Sequence, residues 1–301
     1  MRKLKIPFTD YMDFEYGEVK QISPRVRRIT ARNPSNFTHY GTNTYIIGHG
    51  RVSIIDPGPM LNEHTQALAT ALKDEEVEHI IVTHTHNDHS LGVKPLVNLV
   101  GGKIWGAKLK GFSNEKRKAD SIDWDFSPDY ELIDGTEISC NGHTLEAVYT
   151  PGHMSNHMCF SLKEENILFT GDHIMGWNTT IVSPPDGNMG DYFKSLETCL
   201  ARGEVQYWPA HGPEITNPKP FTRAYRNHRR IREGQILKCL EDGLTSIREI
   251  VGALYVHLPK NMHKAAERSV FAHMEHLVET GRAYCEGTPT VSTQFKKAKE
   301  F

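Results

Sequence analysis

The chain has 301 residues, of which 38% are hydrophobic and 24% charged, and its formal net charge is −2. That is the composition of a globular protein long enough for two domains, and no apolar run approaches the roughly 20 residues a membrane-spanning helix needs. The basic start, Met1-Arg2-Lys3, has no apolar stretch behind it, so neither a signal peptide nor a transit peptide is expected and the cytoplasm is the expected compartment. Cys140, Cys159, Cys199, Cys239 and Cys285 are odd in number and widely spaced, which points to reduced thiols rather than a disulfide framework.

Taken in chain order, residues 21–30 and 44–55 read as strands, the second broken by a turn at Gly48-His49-Gly50. Leu61, His64, Leu68 and Leu72 have helical spacing. Residues 78–83 form a strand and residues 90–100 a helix, with a histidine-rich loop between them. Two hairpins follow, residues 136–150 turning at Asn141-Gly142 and residues 158–170 turning near Glu164-Glu165-Asn166. A helix over residues 192–202 precedes the strand 205–208. The three prolines between residues 213 and 221 read as a linker. Beyond it come helices over 227–241 and after Ser246, where Ser246 and Glu249 spell a capping box, and a longer helix over 262–280. A short strand at 282–285 completes a winged-helix-like pattern, and residues 294–301 read as a disordered tail. The expected division is 1–222, 223–290 and a tail from 291 to 301.

The loop Thr83-His84-Thr85-His86-Asn87-Asp88-His89 concentrates four ligand-type side chains in six positions. On an extended chain His84, His86 and Asp88 leave the same face, and a strand-to-helix turn aims His89 into the same cavity. Three further strands run out into Gly- or Pro-marked loops bearing His153, Asp172 and His211. Imidazole and carboxylate together suit a borderline cation such as zinc. Asp172 and His173 point in opposite directions on an extended chain, so His173 is not expected to be a ligand, and Cys159 is expected as a small buried residue of its strand.

This order of His-x-His-x-Asp-His, His, Asp and His resembles the metallo-β-lactamase-fold hydrolases over roughly residues 20–215. The resemblance implies a four-layer αββα sandwich. It also implies two zinc ions, with manganese or iron as alternatives. His84, His86 and His153 would bind the first ion, Asp88, His89 and His211 the second, and Asp172 would bridge them. Asp88 would also orient the attacking hydroxide shared by the ions. β-Lactamases of the commonest subclass carry Cys where this chain has Asp172, which argues against antibiotic hydrolysis. Gly41-Thr42-Asn43-Thr44-Tyr45, Met175-Gly176-Trp177 and Ser183-Pro184-Pro185-Asp186-Gly187, with the C-terminal helices, are similar to the β-lactamase-like protein 2 group. That group includes a mitochondrial single-strand endoribonuclease.

Two substrate classes follow. One is single-stranded RNA, and the charge distribution favours it: residues 221–301 hold 14 Lys and Arg against 9 Asp and Glu, the first 220 hold 21 against 28. Arg226, Arg229 and Arg230 would then track phosphates, and Asn43, His157 and Trp177 would contact substrate, Trp177 by stacking. The alternative is a thioester, lactone or other acyl substrate on the same site. A non-catalytic nucleic-acid-binding protein is a third reading, opposed by the complete ligand set.

Overall fold

Strand alternation and helix amphipathicity sort the apolar residues into layers in the computed structural model, which describes residues 6–109 and 121–298. The first sheet has seven strands in sequential order: β1 (Lys20–Gln21), β2 (Val26–Thr30), β3 (Asn43–His49), β4 (Arg51–Ile55), β5 (Glu76–Ile81), β6 (Lys103–Gly106) and β7 (Tyr130–Glu131). The second sheet has β8 (Glu137–Cys140), β9 (His143–Tyr149), β10 (Met158–Leu162), β11 (Ile167–Gly171) and β12 (Gln206–Pro209), ordered β12-β11-β10-β9-β8. Val26, Tyr45, Ile47, Ile55 and Ile81 of the first sheet meet Leu145, Ala147, Phe160, Phe169 and Trp208 of the second. Each such fully buried side chain contributes about 1.5–3 kcal/mol.

The alternate residues face outward and are covered by helices. Ile29, Ile46, Ile54 and Ile80 pack on Leu68 of α1 (Asn62–Ala71) and on Val93 and Leu96 of α3 (Val93–Val100), which follows the one-turn helix α2 (Asn87–Ser90). Val148, Cys159, Leu168 and Tyr207 pack on Tyr192 and Leu196 of α4 (Met189–Ala201) and on Phe221 and Tyr225 of α5 (Pro218–Glu241). Helices outside two face-to-face sheets make the αββα sandwich the motif order implies.

A separate core holds the C-terminal part. Ile236, Cys239 and Leu240 of α5 meet Ile247, Ile250 and Val251 of α6 (Ile247–Leu254) and Val270, Met274 and Leu277 of α7 (His263–Glu279). The Ser246–Glu249 capping box is formed at the start of α6. β13 (Ala283–Tyr284) pairs with β14 (Lys296–Lys297) as the wing.

Several boundaries depart from expectation. Residues 21–30 are two strands, because Ser23-Pro24-Arg25 turns the chain back so that Gln21 pairs with Arg27. The helix after the histidine loop starts at Asn87 rather than residue 90, so Asp88 and His89 lie on a helical turn. The proposed linker is half helix: Pro218 and Pro220 sit in the first turn of α5, where missing N–H groups break no intrahelical bond. The expected domain boundary at residue 222 therefore falls inside a continuous helix. The tail is ordered at least to residue 298, because Phe295 is fully buried in the C-terminal core and Lys296–Lys297 pair with the wing. Residues 1–5 and the last three residues of the expected tail, 299–301, lie outside the described residues.

Candidate metal centre

Each histidine loop leaves a strand end on one edge of the sandwich, and the residues before it fix its direction. His84 and His86 follow β5 in extended backbone, as expected, but Asp88 and His89 arrive from the turn α2. His153 follows β9, Asp172 follows β11, and His211 follows β12, which runs parallel to β11. Gly152 (φ +136°) is required beside His153, because a Cβ there would lie 2.4 Å from the Tyr192 backbone. Gly171 (φ +49°) is required beside Asp172, because its Cβ would lie 2.6 Å from His157 Nε2.

The seven expected ligands converge as two groups. His84, His86, His153 and Asp172 form one, and Asp88, His89 and His211 the other. His86 Nδ1 lies 2.9 Å from His84 Nε2 and 3.0 Å from His153 Nε2. Asp172 spans the groups: Oδ2 is 3.5 Å from His153 Nε2 and 3.7 Å from His89 Nε2, and Oδ1 is 3.3 Å from His211 Nε2. Asp88 Oδ2 sits 3.2 Å from His211 Nε2 and 3.6 Å from His89 Nε2.

Four of the five histidines face an acceptor with their outward nitrogen. His153 Nδ1 donates to the Ile181 carbonyl (2.6 Å) and His211 Nδ1 to the Gly41 carbonyl (3.1 Å). His89 Nδ1 donates to Asp56 Oδ2 at 2.8 Å. His84 Nδ1 donates to Thr83 Oγ1 (3.0 Å), whose own hydroxyl donates to Asp56 (2.8 Å). In a neutral ring, outward donation leaves the inward nitrogen bare, the tautomer metal ligation requires. His89 Nε2 and Asp172 Oδ1 are buried without a hydrogen-bond partner, an arrangement a cation between them would complete. Donor set, convergence and orphaned atoms all fit metal ions.

Electrostatics divide the two groups. Burial, aided by the neighbouring His153, pushes His86 down to about 3, and burial also lowers His84 well below the usual imidazole range, so these two imidazoles are neutral. Burial acts the same way on His211, but Asp172 and Asp88 outweigh it and hold that imidazole up at about 10. His89 is likewise raised against burial by Asp88, Asp56 and Asp172. The carboxylates thus draw positive charge into the second group.

Asp56 was not singled out in the sequence. It is buried at φ +51° and its carboxylate accepts from the Thr83 N–H, the Thr83 hydroxyl and His89. The available signal was Asp56-Pro57-Gly58 directly after a strand, a site where a short acceptor tolerates left-handed backbone.

The expected substrate contacts fare differently. Asn43 is fully buried and donates to the Pro209 and Gly212 carbonyls, so it secures the His211 loop. His157 is also buried: its Nδ1 donates to Thr150 Oγ1 and its Nε2 accepts from the Asp172 N–H (3.2 Å), which positions Asp172. Trp177 stacks on His39 (4.6 Å) and against Gly212. None of the three lines the cavity over the cluster, and Trp124 does. Arg226 pairs with Glu197 at 2.9 Å, and Arg230 lies 3.7 Å from the same carboxylate. Arg229 is buried, donates to the Thr180 carbonyl and lies over the Tyr192 ring. Of the three expected phosphate contacts, Arg229 is buried and Arg226 is paired with Glu197, while Arg230 is exposed. His173 is buried against Tyr192, outside both groups, and Cys159 is buried in β10, both as expected.

A cavity of about 730 Å³ opens over the cluster. His86, Asp88, His153, Asp172 and His211 form its reactive floor, and its walls are largely apolar.

A four-layer sandwich with paired His/Asp groups at the strand ends defines a metal-dependent hydrolase. Residues 38–209 match the metallo-beta-lactamase superfamily, to which the chain belongs, and residues 246–289 match the beta-lactamase associated winged helix domain. The chain is 32% identical over 263 residues to an atrochrysone carboxyl ACP thioesterase of Aspergillus chevalieri, covering 83% of this chain and 79% of that one. It is 31% identical over 269 residues to a beta-lactamase-like protein 2 homolog of Caenorhabditis elegans, covering 87% of each. A beta-lactamase domain protein from Burkholderia ambifaria shares the fold, with a TM-score of 0.77 at 18% identity over 96% of this chain and 98% of that one. Among the described residues no helix is long and apolar enough to cross a membrane.

Proposed function

We propose that this protein is a dinuclear zinc thioesterase that hydrolyses an acyl thioester in the cavity above the Asp172-linked cluster. The observation that carries this reading is the position of the two His/Asp groups on the floor of a largely apolar cavity. His84, His86, His153 and Asp172 would hold one ion, and Asp88, His89, His211 and Asp172 the other. Such a pair supplies a water of lowered pKa and positive charge for the oxygen of the reacting carbonyl.

The chain's own residues do the rest. Asp88 is the most accessible carboxylate of the cluster, with 27% of its side chain exposed, and its second neighbour is the Thr42 hydroxyl at 3.5 Å. It accepts a hydrogen bond from the attacking water and takes up its proton at a carboxylate oxygen. Ile122, Trp124, Met154 and Met175 shed water from the acyl chain. A thiolate leaves without strong acid assistance, so the cavity needs no separate general acid. The thioesterase named among the similar proteins supports this substrate class. The RNA reading is weakened because Arg226 pairs with Glu197 and Arg229 is buried on Thr180.

The test is a hydrolysis screen of acyl thioesters, lactones and single-stranded RNA with zinc- and manganese-loaded protein, coupled to elemental analysis. Thioester turnover with about two equivalents of zinc is expected. RNA cleavage without thioester turnover would overturn the substrate class, and one tightly held iron would overturn the hydrolase centre.

A further inference from the structure

The cavity wall is not built by the sandwich alone. Ala265 and Arg268, one turn apart on α7, line the same cavity as the metal cluster. The helix is fixed there: Ala266, Val270, Met274 and Leu277 are buried in the C-terminal core, and Ala272 joins the core around Tyr192 and Tyr225. Asn36 Nδ2, in the loop opposite, reaches Met262 Sδ at 3.6 Å just before α7 begins. The long helix of the winged-helix pattern thus turns one face toward the catalytic cavity.

Arg268 differs from the arginines around it. Arg226 and Arg230 face Glu197, Arg229 is buried on Thr180, Arg232 lies over the Tyr255 ring, and Arg282 binds Glu233. Arg268 is exposed and has no carboxylate in ion-pair range among the described residues, yet it forms part of the wall. Asp186, the wall's acid outside the cluster, is already bound to the Ser155 N–H (2.9 Å) and hydroxyl (2.5 Å). A guanidinium beside apolar walls attracts an anion more strongly than one in bulk water, and its planar fork matches carboxylate and phosphate. Ala265 leaves the approach to it open.

We propose that Arg268 is a specificity residue: it binds an anionic group, carboxylate or phosphate, on the substrate whose thioester sits over the metal cluster. The acyl or thiol arm between the two lies along Trp124, Met154 and Ile181. This rests on the thioesterase reading and adds the charge of its substrate. The C-terminal domain then acts as a selectivity wall of the active site rather than as a nucleic-acid reader.

Three thioesters test it: a neutral acyl group on a short neutral thiol, an acyl group ending in carboxylate on the same thiol, and a neutral acyl group on a phosphorylated pantetheine. Wild type, Arg268→Ala, Arg268→Lys and the exposed control Arg248→Ala are compared. Wild type is expected to prefer one anionic substrate over the neutral one by at least about tenfold in kcat/KM, mainly through KM. The preferred arm identifies carboxylate or phosphate. Arg268→Ala should erase that ratio, Arg268→Lys restore part of it, and Arg248→Ala preserve it. Calorimetry with the matching non-hydrolysable thioethers should show the same ranking without turnover. Equal binding of anionic and neutral thioethers by wild type, no binding of any anionic one, or a preference that survives Arg268→Ala would each overturn the proposal. Failure to hydrolyse all three thioesters while the thioethers still discriminate at Arg268 would instead overturn the thioesterase reading.

Discussion

A single carboxylate outside the ligand set organises much of the metal centre. Asp56 fixes His89 directly and His84 through the Thr83 hydroxyl, so one residue sets the tautomers of a ligand in each group. Asp56→Asn should weaken metal at the Asp88/His89/His211 group by about 10–100-fold while the fold persists. Equilibrium dialysis against graded chelator, with metal analysis, would measure this, and an unchanged second equivalent would refute it. Asp172→Ala should instead release both ions, because its two oxygens face both groups. The two His/Asp groups were legible in the sequence because their residues are dense and punctuated by strand ends. Asp56 was not, because its partners Thr83 and His89 lie 27 and 33 positions away and meet it only after β4 and β5 pair. Trp177 was misplaced for a similar reason: its flat neighbour is His39, which no local pattern reveals.

Helix α5 shows what periodicity reveals and what was overlooked. Phe221, Tyr225, Arg229, Glu233, Ile236 and Leu240 recur at three- and four-residue spacing and are all buried. Arg229 and Glu233 therefore belong to the inner stripe, a position readable from the spacing although their charges suggested a solvated face. Burial raises the Glu233 carboxyl, but His273, His276 and Arg282 more than offset it and hold it well below the usual range. A folded pKa below the unfolded value means this group contributes stability above about pH 4.3, lost as pH falls through the folded value. Chemical denaturation at several pH values should show Glu233→Gln with a shallower acid limb than wild type, and parallel limbs would contradict this account. The same helix carries Gly234 on its exposed side with open space at its Cβ position. Gly234→Ala should raise stability by about 0.5–1 kcal/mol, read as a higher denaturation midpoint at unchanged slope.

At the scale of the whole molecule, the two cores are joined by a shared helix rather than by a linker. Phe221 and Tyr225 of α5 belong to the outer layer of the sandwich, and Ile236 and Leu240 of the same helix belong to the C-terminal core. α7 repeats the link, with Ala272 in one core and Met274 in the other. Damage to the wing should therefore reach the sandwich. Phe295 is the sharpest probe, because it is fully buried in the C-terminal core although it lies within the stretch expected to be disordered. Phe295→Ala should cost about 3–5 kcal/mol through lost burial and the cavity left behind. All four tryptophans, Trp105, Trp124, Trp177 and Trp208, lie in the first 208 residues, so their fluorescence reports on the sandwich alone. If the cores unfold as one unit, the tryptophan transition of Phe295→Ala moves to lower denaturant together with the helical signal by circular dichroism. A tryptophan transition that stays in place while part of the helical signal melts early would show two independent domains. In that case α7, and Arg268 with it, could leave the cavity wall without unfolding the metal centre.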